Sequence, residues 1–274
     1  MTRELEHVLV VGAGQMGGGI AQVVAASGRR VSLLDSAPGA VERALDAMRR
    51  SLTKLDIDPD DALARVSPVE ELVEADLMIE AVVEDAAVKE DVFRRADHAL
   101  PPHAILASNT SAIPIGSLAA VTRRPGQVIG MHFFNPVPVM RLVEVIRAVE
   151  TSDETVTAIL ALARDLGKEP VEARDVAGFV SNRILMPFIN EAVYALRDGV
   201  AEAEAIDTVA RLGFAHPMGP LALADLIGLD TCVAIMEVLE RGLGEARFAP
   251  CPLLRELVAA GRLGRKTEHG FYDY

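Results

Sequence analysis

The chain has 274 residues, enough for one large domain or two ordinary ones. Half of them are hydrophobic and 24% are charged, the balance of a globular protein, and the formal net charge of −13 argues against a nucleic-acid binder or a polybasic membrane-surface protein. The two cysteines, Cys232 and Cys251, fit neither a metal-ligand spacing nor a disulfide framework, and the longest apolar region, 221–239, is broken by Asp225, Asp230 and Glu237. The expectation is a cytoplasmic protein with no metal site and no membrane span.

Val8–Val11 is a short β-branched run closed by Gly12 and reads as a buried strand. Gln15–Ser27 has helical spacing and stops at Gly28. Val31–Leu34 is a second buried strand, followed by Asp35, and a helix is expected from near Pro38 to about Lys54. Leu77–Val83, Ala104–Ala107, Val128–His132, Leu142–Ile146 and Glu169–Glu172 read as further strands. Ala86–Ala99 and Asp153–Leu166 read as helices. After 175–178 the pattern changes, and Phe179–Arg197, Ala203–Leu212 and Leu221–Leu243 all read as helices. Strands alternating with helices, then helices alone, predict a doubly wound parallel sheet followed by an all-α region, with domains at 1–177 and 178–274.

Gly12-Ala13-Gly14-Gln15-Met16-Gly17 fits G-x-G-x-x-G between the first expected strand and its helix, and Asp35 ends the next strand 18 residues after Gly17. Gly12 suits the tight turn, Gly14 the approach of backbone to a pyrophosphate, and Gly17 the packing of helix on strand. The helix N-terminus offers N–H groups to the phosphates through Gln15 and Met16. Asp35 suits a ribose 2′-hydroxyl and repels a 2′-phosphate, so the expected cofactor is NAD rather than NADP.

Hydride removal from an alcohol also needs a group to take the hydroxyl proton, and imidazole suits that task near neutral pH. Among the histidines, His132 alone ends an expected strand, at the edge where open α/β sheets bind ligands. Glu144 lies 12 residues on, in the next strand, within reach if the two strands form a hairpin. The residues by themselves leave two readings of His132, a proton carrier or a satisfied core histidine.

The stretches GAGQMGGGIAQ, IEAVVED, ILASNTSAIPI, GMHFFNPVPVMRLVEVI, AGFVSNRILMPFINEA, GFAHPMGPLALADLIGLD and GRLGRKTEHGFYDY run in order through the chain. In these it resembles the 3-hydroxyacyl-CoA dehydrogenase family, of the short-chain 3-hydroxybutyryl-CoA type. The resemblance implies a Rossmann-type domain with a helical dimerisation domain, hence a homodimer. It also implies NAD-linked interconversion of (S)-3-hydroxyacyl and 3-oxoacyl thioesters. By the same resemblance His132 is the catalytic base, Glu144 the carboxylate that orients it, Ser111 the hydroxyl that meets substrate near the nicotinamide, and Asn182 an amide reaching in from the second domain. The NAD contacts fall on Asp35, Glu84, Lys89, Ser111, Asn135 and Lys266, and a coenzyme A contact on Ser51.

Two stretches depart from the family pattern. The helical hairpin before Leu77 is cut short to SLTKLDIDPDDALARV, and its tip carries four acids, Asp56, Asp58, Asp60 and Asp61, where lysines are expected. An acidic tip repels the phosphates of coenzyme A, leaving Arg43, Arg49, Arg50 and Lys54 to compensate. Glu268-His269 replaces the small residue, often glycine, that usually precedes the last Gly-Phe-Tyr. The leading expectation is therefore a dehydrogenase of acyl-CoA thioesters. One alternative presents the acyl group on an acyl carrier protein, as in biosynthesis of polyketide extender units, and a third reading is a non-catalytic NADH binder. The apolar content of Leu221–Leu243 adds its own argument for a homodimer through the helical region.

Overall fold

Short runs of β-branched residues and leucine build one sheet in the first of two compact units, which ends at Asp175. The computed structural model describes residues 5–274. The strands are β1 (His7–Val11), β2 (Arg30–Leu34), β3 (Val66–Val69), β4 (Leu77–Glu80), β5 (Ile105–Ser108), β6 (Val128–Phe133), β7 (Leu142–Arg147) and β8 (Glu169–Arg174). Their order across the sheet is β3-β2-β1-β4-β5-β6-β7-β8. The helices of this unit are α1 (Gln15–Ala26), α2 (Ala40–Lys54), α3 (Pro59–Leu63), α4 (Ala86–Ala99), α5 (Ile115–Ala120) and α6 (Asp153–Asp165).

β4 and β5 are buried at every position, as strands covered on both faces must be. The order reverses between β1 and β4, which opens a crevice at the carboxyl ends of the strands. The expected parallel arrangement holds from β3 through β6. It then turns over: β7 is antiparallel to β6, and β8 runs parallel to β7. The Pro-rich stretch between β6 and β7 makes that reversal, so a tight return replaces a helical crossover.

Several elements differ from expectation. The strand expected to reach Val83 stops at Glu80, whose carboxylate accepts a hydrogen bond from the Val82 N–H at 2.7 Å and turns the chain. α3, β3 and α5 were not anticipated. The acidic tip folds as α3, with Asp58 capping it by accepting from Asp60 N. β3 is a sheet edge carrying Pro68 and two exposed positions, which hides its strand pattern.

The second unit, Val176–Tyr274, is helical. It comprises α7 (Ser181–Arg197), α8 (Ala203–Thr208) continuing into a π-helical turn (Val209–Gly213), α9 (Pro220–Ile227), α10 (Leu229–Leu243) and α11 (Pro252–Ala259). The single helix expected over 221–243 is two helices, because Gly228 adopts φ 102° between them. α11 was also not foreseen. Leu221, Leu229, Met236 and Leu239, taken in the sequence as surplus apolar surface, are core residues packed with Met186, Ile189 and Val193. Leu226 of this stretch stays exposed, and further exposed apolar side chains are Ile184 on α7 and Val209, Leu212 and Phe214 at the π-helical turn. No helix among the described residues is long and apolar enough to cross a membrane.

Candidate active site

The glycine loop joins β1 to α1. Gly12 has φ 105°, and a Cβ there would sit 2.5 Å from the Ala81 carbonyl oxygen. A Cβ on Gly17 would lie 1.7 Å from the Gly12 carbonyl oxygen, so loop and helix pack only as glycines. Gly14 faces open space within 4 Å, and as the N-cap of α1 it leaves the first N–H groups without a side-chain cap. Gly12, Gly14, Gln15 and Met16 border a cavity of about 890 Å³ that is also lined by Asp35, Glu70 and Asp91. Open space at Gly14, uncapped helix amides and an acid at the end of β2 suit the pyrophosphate and ribose of a dinucleotide. The residues fit NAD.

Ser111, His132 and Glu144 come together at the ends of β5, β6 and β7. His132 stands opposite Glu144 in the antiparallel pair. Its Nδ1 is 2.8 Å from Glu144 Oε2, and its Nε2 is 3.0 Å from Ser111 Oγ. His132 is 6% exposed and Glu144 1%, so little water screens the pair. A carboxylate at Nδ1 places the hydrogen on that nitrogen and leaves Nε2 as the acceptor. Of the two phenylalanines that follow, Phe133 enters the core, and the Phe134 ring packs 4.8 Å from the imidazole.

Ser111 is held by a turn that Glu84 shapes. Glu84 Oε1 accepts from Thr110 Oγ1 at 2.5 Å, Ser111 N at 2.9 Å and Ala112 N at 3.1 Å. Its other oxygen is 3.2 Å from Lys89 Nζ. Lys89 is buried and also donates to Glu80 at 2.6 Å and to the Val82 carbonyl at 3.3 Å. Glu80, fully buried, further accepts from Ser108 Oγ at 2.6 Å. Sequence reasoning missed Glu80, although an acid closing the apolar run Leu77-Met78-Ile79 was a signal. It also passed over the role of Asn109, whose Oδ1 accepts from Phe133 N at 2.9 Å and ties the end of β5 to β6.

The turn after β6 begins at the exposed Asn135, which precedes a cis peptide bond to Pro136. Val137 is buried against α1, where a Cβ on Gly19 would lie 2.8 Å from the valine Cβ. Beneath the turn Lys168 donates to the carbonyls of Val137 at 2.5 Å and Met140 at 2.9 Å. Burial pushes the Lys168 ammonium below its ordinary pKa.

The remaining expected residues lie apart from this cluster in the sequence. Ser51 is half-buried on α2, beside Arg50. Arg49 donates to Asp60 at 2.6 Å, and Arg43 folds back on the Pro38 carbonyl at 3.3 Å, so two of the four cations near the acidic tip already have partners. In the second unit Asn182 is buried in the first turn of α7. Lys266 donates to both oxygens of Asp230, at 2.5 and 2.6 Å. Glu268 takes φ 60°, the left-handed conformation that a glycine would adopt freely. The described residues hold no cluster of histidine, cysteine and acids able to bind a metal ion.

Residues 7–176 match the family model of the 3-hydroxyacyl-CoA dehydrogenase NAD binding domain, and residues 178–274 match that of the 3-hydroxyacyl-CoA dehydrogenase C-terminal domain. A probable 3-hydroxybutyryl-CoA dehydrogenase of Bacillus subtilis is 52% identical over 281 residues, covering 99% of this chain and 98% of that protein. A 3-hydroxybutyryl-CoA dehydrogenase of Bradyrhizobium diazoefficiens is 46% identical, covering 100% of this chain and 97% of that protein. The crystal structure of an (S)-3-hydroxybutyryl-CoA dehydrogenase from Ralstonia eutropha is similar with a TM-score of 0.95 and 45% identity over 99% of both chains. With both halves matched in order and the glycine loop shaped for a dinucleotide, the chain belongs to the 3-hydroxyacyl-CoA dehydrogenase family, an NAD-dependent oxidoreductase acting on a CH–OH group.

Proposed function

We propose that the protein interconverts (S)-3-hydroxyacyl and 3-oxoacyl thioesters of coenzyme A, with 3-hydroxybutyryl-CoA as the default substrate. The observation that carries the mechanism is the chain Ser111–His132–Glu144, linked at 3.0 and 2.8 Å. In oxidation the substrate hydroxyl lies against Ser111 Oγ and His132 Nε2, and Nε2 takes its proton. The positive imidazole ring that results is stabilised by Glu144 at Nδ1. Bound NAD supplies the acceptor for the hydride. In reduction His132 returns the proton to the carbonyl oxygen. Lys89 and Glu84 act on the cofactor side through the Ser111 turn that they fix. Asn182 reaches toward the substrate from the start of the second unit, Asn135 and Lys266 complete the NAD contacts, and Ser51 touches coenzyme A. We assign 1–177 to cofactor binding and 178–274 to substrate closure and dimerisation. The exposed Ile184, Leu212 and Phe214 support a homodimer, whose mass in solution at micromolar concentration tests it.

The test of the substrate is NADH oxidation followed by absorbance with acetoacetyl-CoA and with acetoacetyl-pantetheine. A large preference for the coenzyme A thioester supports this reading. Equal use of both favours an acyl carrier protein as donor, a reading supported by the acidic tip and by the pairing of Arg49 with Asp60. No turnover with either, alongside tight NADH binding, would leave a non-catalytic NADH binder.

A further inference from the structure

The cofactor cavity has a second acid beside Asp35. β2 and β3 run parallel with Leu34 opposite Val69. The next residues are Asp35 and Glu70, so two carboxylates leave neighbouring strands at one level, on chains about 5 Å apart. Both line the 890 Å³ cavity. They differ in how they are engaged. Asp35 Oδ2 accepts from Ala13 N at 2.6 Å and Oδ1 from Ala37 N at 2.8 Å, so backbone dipoles offset part of its charge. Glu70 is exposed, and among the described residues its carboxylate has no hydrogen-bond or ion-pair partner.

The cations that could reverse this field are few and engaged. Three carboxylates line the cavity, Asp35, Glu70 and Asp91, against one guanidinium, Arg95, which lies 3.7 Å from Asp91. Arg43, the first cation after Asp35 in the chain, is bonded to the Pro38 carbonyl and is not part of the lining.

We infer that Glu70 is a second specificity-determining residue for the cofactor, accepting from the adenosine ribose hydroxyls and, together with Asp35, excluding a dinucleotide that carries a 2′-phosphate. The 2′-phosphate of NADP adds nearly two negative charges beside these acids. A single carboxylate at that range is worth roughly tenfold in affinity in a partly hydrated site. Removing the charge of Asp35 alone therefore leaves half of the repulsion in place.

The test is direct titration of NADH and NADPH fluorescence with the wild type, Glu70→Gln, Asp35→Asn and the double variant, which reads the cofactor site independently of any substrate. The ratio of the NADPH to the NADH dissociation constant should fall roughly tenfold in Glu70→Gln, and further in the double variant than in Asp35→Asn. The gain should shrink as salt is added, because these charges are partly exposed. An unchanged ratio in Glu70→Gln, with the double variant equal to Asp35→Asn, overturns the inference and leaves Asp35 as the sole determinant.

Discussion

Glu144 of the first unit and Asp225 of the second are each 1% exposed, yet they do different things with the same burial. Glu144 accepts from an imidazole nitrogen, a partner that can gain or lose a proton. Asp225 accepts from the backbone N–H groups of Phe271 and Tyr272, at 2.9 and 3.0 Å, and from Tyr274 OH at 3.2 Å. Asp207 behaves like Asp225, capping the start of α9 through Leu221 N and Ala222 N and accepting from Tyr272 OH. Amides cannot pass a proton on at neutral pH, so these two acids pin the C-terminal tail and a helix end. In the first unit the buried Glu144 and Glu80 instead face side chains, His132 on one and Lys89 and Ser108 on the other. The partner, more than the depth of burial, separates a chemical carboxylate from a structural one.

The sharpest way to break that comparison is to remove the mobile partner. His132→Gln should lower turnover by roughly 10²- to 10⁴-fold while NADH still binds. Near-normal turnover would show that His132 is as structural as the amides around Asp225. Lys89→Met should destabilise the protein by about 3–5 kcal/mol, since it leaves Glu80 charged and buried without its ion-pair partner. Adding Glu80→Gln should restore much of that in urea unfolding, and failure to do so would show that Lys89 matters for packing rather than charge. Asp225→Ala strands two tail amides and should cost about 2–3 kcal/mol. It should also expose Arg262 and Arg265 to trypsin while the first unit stays folded.

The smallest effects are in pH. Burial pulls the Asp97 carboxyl up, but hydrogen bonds from Arg123 and Arg124 outweigh it, so its pKa lies below the ordinary range. Its contribution is therefore complete above about pH 4 and is lost as pH falls further. Tyr272 moves the other way. Burial and its bond to Asp207 hold the phenol protonated above its ordinary value, so its contribution is complete below about pH 10 and is lost as pH rises beyond that. Thermal midpoints across pH should flatten on the acid side in Asp97→Asn and on the alkaline side in Tyr272→Phe.

The parts of the site that could be read from the sequence are those made by consecutive elements. The glycine loop follows one strand, and Asp35 ends the next. His132 and Glu144 flank a single Pro-rich turn, so a hairpin brings them together. Glu80 and Lys89 also sit on consecutive elements, but their pairing depends on how α4 lies over β4, which no glycine or proline signal marks. The break at Gly228 was hidden because the apolar spacing is helical on both sides, and only its φ of 102° separates α9 from α10. The apolar residues of 221–243 were placed on a surface because composition cannot tell a small domain's core from its interface.

The Asn135–Met140 turn has Gly19 of the cofactor helix above it and Lys168 below. It works as a keystone: two loads, α1 and the β6–β7 strand pair, bear on the same few atoms. A single methyl group at Gly19 would therefore be felt on both sides. Gly19→Ala should raise the Michaelis constant for NADH and also slow proton transfer at His132, although its Cβ touches neither. Lys168→Met should reproduce the pair of effects from the opposite face. The turn thus gives the glycine-loop helix and the strand pair carrying His132 and Glu144 a common mechanical reference, and drift of one relative to the other is resisted at a single point.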